Sequence, residues 1–139
     1  MKYLLILCTA GLLFACSEEE VATPKEKIES VEDLTEIKDG VFTQYYPGRK
    51  KIKFRGEQDE LGQRNGLWYF YSESGVQISM TEFIHGKKNG VSVLYYENGS
   101  LQYSGEYEND KPVGIWKTYN EKGELIDTKD YTALNEEIK

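Results

Sequence analysis

Residues 66–75 have the sequence GLWYFYSESG, and the same pattern returns as GVSVLYYENG at 90–99 and as GIWKTYNEKG at 114–123. Each copy begins with Gly, carries Tyr at its sixth position and ends with Gly, and successive copies start 24 residues apart. A fixed period of this length is typical of a small structural unit that stacks on copies of itself. The sequence therefore predicts a tandem repeat in which each unit completes the core of its neighbour.

Each unit is predicted to contain two strands. In the middle copy, residues 91–96 and 101–108 suit strands, whereas 97–100 and 109–112 carry the Gly, Asn and Asp that turns favour. A fainter copy starts at Gly40, 26 residues before Gly66, and 58–64 has the composition of a longer loop. We therefore expect an all-β protein, an antiparallel β-hairpin repeat meander with about 24 residues per two-strand repeat.

The first 16 residues have the layout of a bacterial lipoprotein signal. Lys2 precedes an apolar stretch that ends in Leu13-Phe14-Ala15-Cys16, which resembles a lipobox, whose Cys becomes lipid-modified. We therefore predict a signal peptide at 1–15 and attachment to the membrane through lipid on Cys16. An ordinary signal peptide with a chance Cys is the alternative. Since Cys8 would leave with the signal, no thiol would remain for a disulfide or a zinc site.

An acidic tether is predicted at 16–38, the repeat domain at 39–131 and a C-terminal tail at 132–139. Ser17-Glu18-Glu19-Glu20 resembles an acidic export tag for the cell surface, although a solvated start to a tether has the same composition. We expect a lipid-anchored, surface-exposed protein of the outer membrane. Apolar residues recur every third position in 28–37, which gives only a weak signal for an amphipathic helix.

Charge and composition limit the partners. The chain has 139 residues, with 17 basic and 24 acidic side chains and a net charge of −7, which argues against nucleic-acid binding by the folded part. Its 11 Tyr and 2 Trp argue against disorder over the repeats. Apart from the membrane at the lipid anchor, the expected partner is an unidentified protein or glycan.

Residues 103–114, YSGEYENDKPVG, resemble the MORN (membrane occupation and recognition nexus) repeat, Tyr-x-Gly-Glu-Trp-x-Asn-Gly-Lys-x-x-Gly. Tyr107 stands in the Trp position of that pattern and Asp110 in a Gly position. The 24-residue period is similar to a bacterial variant labelled YwqK-type antitoxin. The resemblance covers about residues 40–131 and implies a repeat sheet. The antitoxin label implies a protein that neutralises a toxin by binding it.

Residues suited to catalysis are few. His85, the sole histidine, falls in a predicted turn, where positive φ is tolerated, and this interpretation is preferred to a catalytic base. A catalytic carboxylate pair needs two different environments, whereas four carboxylates here recur at one position per repeat: Glu57, Glu82, Glu106 and Asp130. We predict no enzyme activity, no cofactor and no metal site.

Seven side chains are candidates for contact with a partner. Four are aromatic residues that one face of the sheet would expose, with burial in the interior as the alternative: Trp68, Tyr69, Trp116 and Tyr119. Three are cations that strand alternation places on one face: Lys51, Lys53 and Arg55. The cations would contact an anionic glycan, a lipid head group or an acidic protein, unless they only protect an exposed strand from edge pairing. The sequence predicts a non-catalytic platform for protein or glycan binding, with a toxin-neutralising antitoxin or immunity protein as the alternative.

Overall fold

The computed structural model describes residues 30–132, which form one antiparallel sheet whose strand order follows the chain. The strands are β1 (Thr35–Lys38), β2 (Val41–Tyr45), β3 (Ile52–Gln58), β4 (Arg64–Tyr71), β5 (Gln77–Ile84), β6 (Lys87–Tyr95), β7 (Leu101–Glu108), β8 (Lys111–Tyr119) and β9 (Leu125–Asp130). The predicted all-β meander is thus confirmed. The predicted signal peptide, Cys16, the tether up to residue 29 and residues 133–139 lie outside the described residues. Within 30–132, no helix has the length and apolar character needed to cross a membrane.

Each full repeat is one hairpin: β4–β5, β6–β7 or β8–β9. The hairpin turn closes in the same way every time. In the middle unit, Tyr96 N donates to Ser100 O at 2.9 Å, and Gly99 N donates to Tyr96 O at 2.9 Å. Gly99 adopts φ 83°, which glycine reaches at little cost. The last glycine of each sequence copy is therefore a turn residue.

The turns between units are shorter than the sequence suggested. They have two residues, both with positive φ, as in type I′ hairpins: Asp39-Gly40, His85-Gly86 and Asn109-Asp110. Lys111 and Pro112, placed in the turn by sequence analysis, begin β8 instead. The φ of 48° at His85 confirms that this histidine occupies a turn. The connection between β3 and β4 is longer and spans 59–63, close to the predicted loop.

The first glycine of each sequence copy lies inside a strand, where it forms a bulge. Ser104 pairs with Lys117, but two residues later Glu106 pairs with Val113, so β8 carries two extra residues between these pairs. The same register shift separates β3 from β4 and β5 from β6. Gly114 takes φ 63° within the extra segment. A bulge of this kind bends the strand and re-aims the side chains beside it.

The bulge places a tryptophan ring directly on a glycine of the preceding strand. A Cβ added to Gly105 would lie 2.1 Å from the Trp116 ring, and one added to Gly56 would lie 2.5 Å from the Trp68 ring. No other residue type fits beneath these rings. At the junction between β5 and β6, Thr81 and Ser92 occupy the two corresponding positions, and their buried hydroxyls hydrogen-bond at 2.9 Å. One chain thus contains two solutions for the same interior site.

Both tryptophans lie on one face of the sheet, here called the inner face. Trp68 contacts a cluster of rings at 5.8–6.5 Å made of Phe42, Phe54 and Phe83, with Phe70 packed at a tilt against Phe54. Trp116 has a second cluster at 4.9–6.1 Å made of Tyr103, Tyr107 and Tyr131. These rings form the core of a single-layered sheet, and the Thr81–Ser92 hydroxyl pair lies between the clusters. The opposite side is the outer face.

Strand β1 begins the sheet earlier than sequence analysis expected, because residues 35–38 were placed in the tether. Residues 31–34 form a turn, not a longer amphipathic helix. Tyr45 Oη donates to Glu36 Oε2 at 2.8 Å, and this bond raises the pKa of Tyr45. Arg49 donates to Asp33 O at 2.6 Å and lies 3.7 Å from Glu36. Contacts from β2 and its turn therefore hold β1 in a segment whose composition resembles a linker.

Candidate functional site

Trp68 and Trp116, both candidates for partner contact, are interior side chains. Their exposed fractions are 1% and 6%, and each indole donates to a backbone carbonyl: Trp68 to Glu57 O at 2.8 Å and Trp116 to Val113 O at 3.1 Å. Rings that are packed on glycine and hydrogen-bonded in this way are not accessible to a partner. Burial in the interior, the alternative stated from the sequence, therefore describes these two residues.

Arg64 covers the first aromatic cluster. Its guanidinium carbon lies 4.8 Å from the ring centre of Trp68 and 5.3–5.5 Å from those of Phe54, Phe70 and Phe83. The side chain is half-buried, and this burial lowers the pKa of Arg64. Within residues 30–132, no carboxylate lies within ion-pair distance of it. A guanidinium surrounded by ring faces gains a cation–π attraction in place of an ion pair.

Tyr69 and Tyr119 occupy different surroundings. Tyr69 is on the outer face, paired with Arg55 on one side and Met80 on the other, and it is half-buried. Tyr119 ends β8, and its carbonyl accepts a 2.9 Å hydrogen bond from Tyr96 Oη. Tyr119 therefore helps to join neighbouring hairpin ends, whereas Tyr69 faces outward among residues that a partner could reach.

The basic cluster is exposed, but its strand is not an edge. In β3, Lys53 and Arg55 are exposed while Ile52 and Phe54 are half-buried, which is the alternation that the sequence predicts. Strand β3 pairs with both β2 and β4, so protection against edge pairing cannot be the function of these cations. Lys51 Nζ donates to Ser74 O at 2.6 Å, and Lys53 lies 5.7 Å from the Tyr46 ring. Arg55 lies on the outer face between its strand partners Thr43 and Tyr69.

His85 is hydrogen-bonded to Asp59 across two loops. His85 Nδ1 lies 2.8 Å from Asp59 Oδ2, and the His85 side chain is 73% exposed. Hydrogen bonds to Asp59, first from His85 and then from the backbone of Gln63 and Leu61, lower the pKa of this carboxyl. The pair ties the long β3–β4 loop to the turn after β5. Its place on an exposed turn agrees with a structural function.

The outer face presents a row of residues that sequence analysis did not select. Antiparallel partners point to the same side of a sheet. Four such pairs each join one aliphatic residue to one carboxylate: Val41 with Glu57, Leu67 with Glu82, Val91 with Glu106, and Ile115 with Asp130. We call these eight residues the aliphatic–acidic row. The signal for it was present in the sequence, because Leu67, Val91 and Ile115 each directly follow the first glycine of a copy.

Three of the four aliphatic members of the row are exposed, and Val41 is half-buried. Leu67 is 41% exposed, Val91 40% and Ile115 57%. Glu57, Glu106 and Asp130 are also exposed, whereas Glu82 folds over the bulge and accepts a 3.3 Å hydrogen bond from Val91 N. Within 30–132, none of the four carboxylates has a basic side chain within 4.0 Å, and no group of three His, Cys, Asp or Glu could hold a metal ion. The row is therefore suited to contact with another molecule through apolar and anionic groups.

These features define a class: a tandem β-hairpin repeat protein with a self-packed inner face and an open outer face. Residues 88–109, which run from within β6 to the turn before β8, match the family model described as MORN repeat variant. This segment is thus similar to a MORN repeat of the variant type, and it overlaps the resemblance at 103–114.

Comparison with solved structures finds fold likeness only. A mutant of S. aureus TarM in complex with fondaparinux, alpha-GlcNAc-glycerol and UDP is 16% identical over 70% of this chain and 20% of its own length, with a TM-score of 0.47. A second TarM crystal structure is 15% identical over 68% of this chain and 19% of its own length, with a TM-score of 0.45. The chain therefore spans about one fifth of the length of these proteins. No curated protein matches it.

Proposed function

We propose that this chain is a lipid-anchored lipoprotein of the outer membrane or cell surface, whose repeat sheet binds another protein without catalysis. The Leu13-Phe14-Ala15-Cys16 sequence supports the anchor. Lipid on Cys16 would hold the sheet at the membrane through the segment between residue 16 and β1, where diffusion brings partners to it. The net charge of −7 favours a partner with basic groups.

The observation that carries the binding function is the open aliphatic–acidic row. Scattered exposed aliphatic residues need no explanation, but here Leu67, Val91 and Ile115 recur on one face in register with the repeat. A protein surface that is apolar and charged in alternation suits a protein partner. A glycan would instead need several accessible ring faces for stacking, and two of the four aromatic candidates, Trp68 and Trp116, are covered. We therefore favour protein over glycan binding.

The absence of catalysis is part of the proposal. His85 and Asp59 have the geometry of an acid–base pair, but the histidine sits in an exposed turn, where water cannot be excluded from a reaction. The recurring carboxylates occupy equivalent positions on an open face, and none lies in an enclosed site of the kind that tunes a catalytic acid or base.

Two labelling experiments test the anchor and its orientation. Radiolabelled palmitate should enter the wild type but not Cys16→Ala, and equal incorporation would rule out lipidation at this residue. Protease added to intact cells should remove the repeat domain. Full protection of the domain would place it on the periplasmic side and would contradict surface exposure.

Photo-crosslinking in intact cells tests the binding function. A photoreactive amino acid replaces Val91 on the outer face, and a matched control replaces Asp127 on β9, whose partner Thr118 lies on the inner face. We expect a specific crosslinked protein from position 91 and not from 127. A crosslinked protein toxic to the cell on its own would favour the antitoxin or immunity alternative. Identical products from both positions, or none, would contradict the proposed binding face.

A further inference from the structure

The aliphatic–acidic row runs across the strands, so its spacing is set by the sheet. Neighbouring strands lie about 4.8 Å apart, and each repeat contributes two strands, so equivalent side chains recur about every 9.6 Å. Leu67, Val91 and Ile115 therefore form a line with this period, and a carboxylate lies about midway between successive aliphatic side chains. A partner that uses the whole row must present apolar and basic groups in alternation with the same period.

A shallow groove between two members of the row has space for an apolar side chain. It lies between Val91 and Ile115, is lined also by Ser104, Val113 and Lys117, and holds about 330 Å³. Glu106 borders the groove, so a side chain inserted there lies beside a carboxylate. Lys117, which pairs with Ser104, also lines the groove and places a positive charge two residues along the strand from Ile115. The groove therefore favours a partner whose basic residues point toward Glu106 and away from Lys117.

An α-helix matches this arrangement better than an extended strand. Two helical turns rise about 10.8 Å, close to the 9.6 Å period, and residues three or four positions apart fall on the same face about half as far along. An aliphatic residue every seventh position, with Lys or Arg midway, therefore meets the row in alternation. A β-strand covers a similar distance in about three residues, but successive contacts would then point to opposite sides.

We propose that the aliphatic–acidic row binds a basic amphipathic α-helix of a partner protein, laid across strands β4 to β9. This rests on the proposed function, since it specifies the partner for the same face. The four carboxylates have no basic partner within residues 30–132, so the helix would supply the missing charges, and its aliphatic side chains would cover Leu67, Val91 and Ile115.

Binding of a designed peptide to the full chain tests this proposal. The probe is a fluorescent helix of about four heptads, with Leu at every seventh position and Lys three and four residues later. A control peptide has the same composition in an order that removes the heptad. Fluorescence anisotropy should show binding of the first peptide only, weakened when the salt concentration rises about tenfold. Equal binding of the control peptide would overturn the proposal.

Three variants locate the contact. Ile115→Ser should weaken binding about tenfold or more, because an exposed aliphatic side chain is then no longer covered. Glu106→Gln should weaken it about two- to fivefold and reduce the salt dependence. Asp127→Asn removes an equal charge from the inner face and should have no effect. Circular dichroism checks that each variant is folded. Unchanged binding by Ile115→Ser, or an equal loss with Asp127→Asn, would refute the proposed contact.

The crosslinking experiment separates this proposal from the one on which it rests. Capture of a protein through position 91, together with no binding of the heptad peptide, would refute the helix and leave the binding function standing. No capture and no peptide binding would refute both.

Discussion

The contact between Gly105 and Trp116 allows a quantitative test of how the repeats pack. The junction between β5 and β6 already shows a second solution at the equivalent site, a Thr81–Ser92 hydroxyl pair at 2.9 Å. The experiment transplants that pair, as Gly105→Thr and Trp116→Ser, separately and together. The structure predicts that each change harms the protein alone and that each partly corrects the other.

The magnitudes follow from the contacts. Trp116→Ser removes a side chain that is 6% exposed, and loss of a buried Trp costs about 3–5 kcal/mol. Gly105→Thr places a Cβ 2.1 Å from the ring, which exceeds ordinary overpacking and should cost about 3 kcal/mol or more. Without the ring, the same threonine gains strand propensity and a hydrogen bond, together about 1–2 kcal/mol. The coupling free energy should therefore be about 4 kcal/mol.

Urea unfolding of the four proteins measures this coupling. Because Trp68 belongs to the other aromatic cluster, far-ultraviolet circular dichroism, which follows the strands around both tryptophans, is the signal in every variant. If Gly105→Thr alone does not fold, the double variant still gives a lower limit for the coupling. Ser104→Thr, one residue away on the outer face, is the matched control and should be additive with Trp116→Ser. Additivity of Gly105→Thr with Trp116→Ser to within about 0.5 kcal/mol would refute the packing argument.

Three further predictions concern other contacts. Ser92→Trp alone should destabilise the protein by about 1–3 kcal/mol, and Thr81→Gly added to it should recover much of that loss in urea unfolding; no recovery would count against the equivalence of the repeats. Arg64→Ala should cost about 1–2 kcal/mol, since the guanidinium covers four rings; a change below about 0.3 kcal/mol would contradict a packing function. Because the pKa of Asp59 is lowered in the folded protein, its stabilising effect is present above the ordinary carboxyl pKa and is lost as the pH falls through the lowered value. Asp59→Asn should therefore flatten the acid side of the curve of unfolding free energy against pH. An unchanged curve would exclude Asp59 and its contact with His85 as the cause of the stability loss in acid.

Much of the fold could be predicted from the spacing of a few residue types. The 24-residue period of glycine and tyrosine gave two strands per unit, and turn residues located the connections, including the positive φ at His85. The bulges were not predicted, because glycine adopts positive φ both in turns and in strand bulges, and the sequence does not distinguish the two. Gly114 shows which applies only once the pairing of Ser104 and Glu106 is known.

The candidate site was predicted less well than the fold. Sequence analysis proposed aromatic side chains as contacts with a partner. Trp68 and Trp116 are instead buried, because glycines in the preceding strand leave space for their rings. A sequence pattern predicts that side chains alternate between the two faces of a strand. It does not show which face of the sheet is covered by its own side chains. β1 was missed for a related reason, since Thr35–Lys38 is polar and is held by contacts from Tyr45 and Arg49, distant in sequence.

The hydroxyl pair between Thr81 and Ser92 has a consequence for how the array unfolds. Repeat arrays are cooperative through the interfaces between neighbouring units. A neutral hydrogen bond stabilises by about 1 kcal/mol, whereas a buried Trp contributes about 3 kcal/mol or more. We therefore expect the sheet to unfold as two cooperative blocks, one around each tryptophan, which meet where β5 pairs with β6. Amide hydrogen exchange should divide at this junction between the first and middle full units.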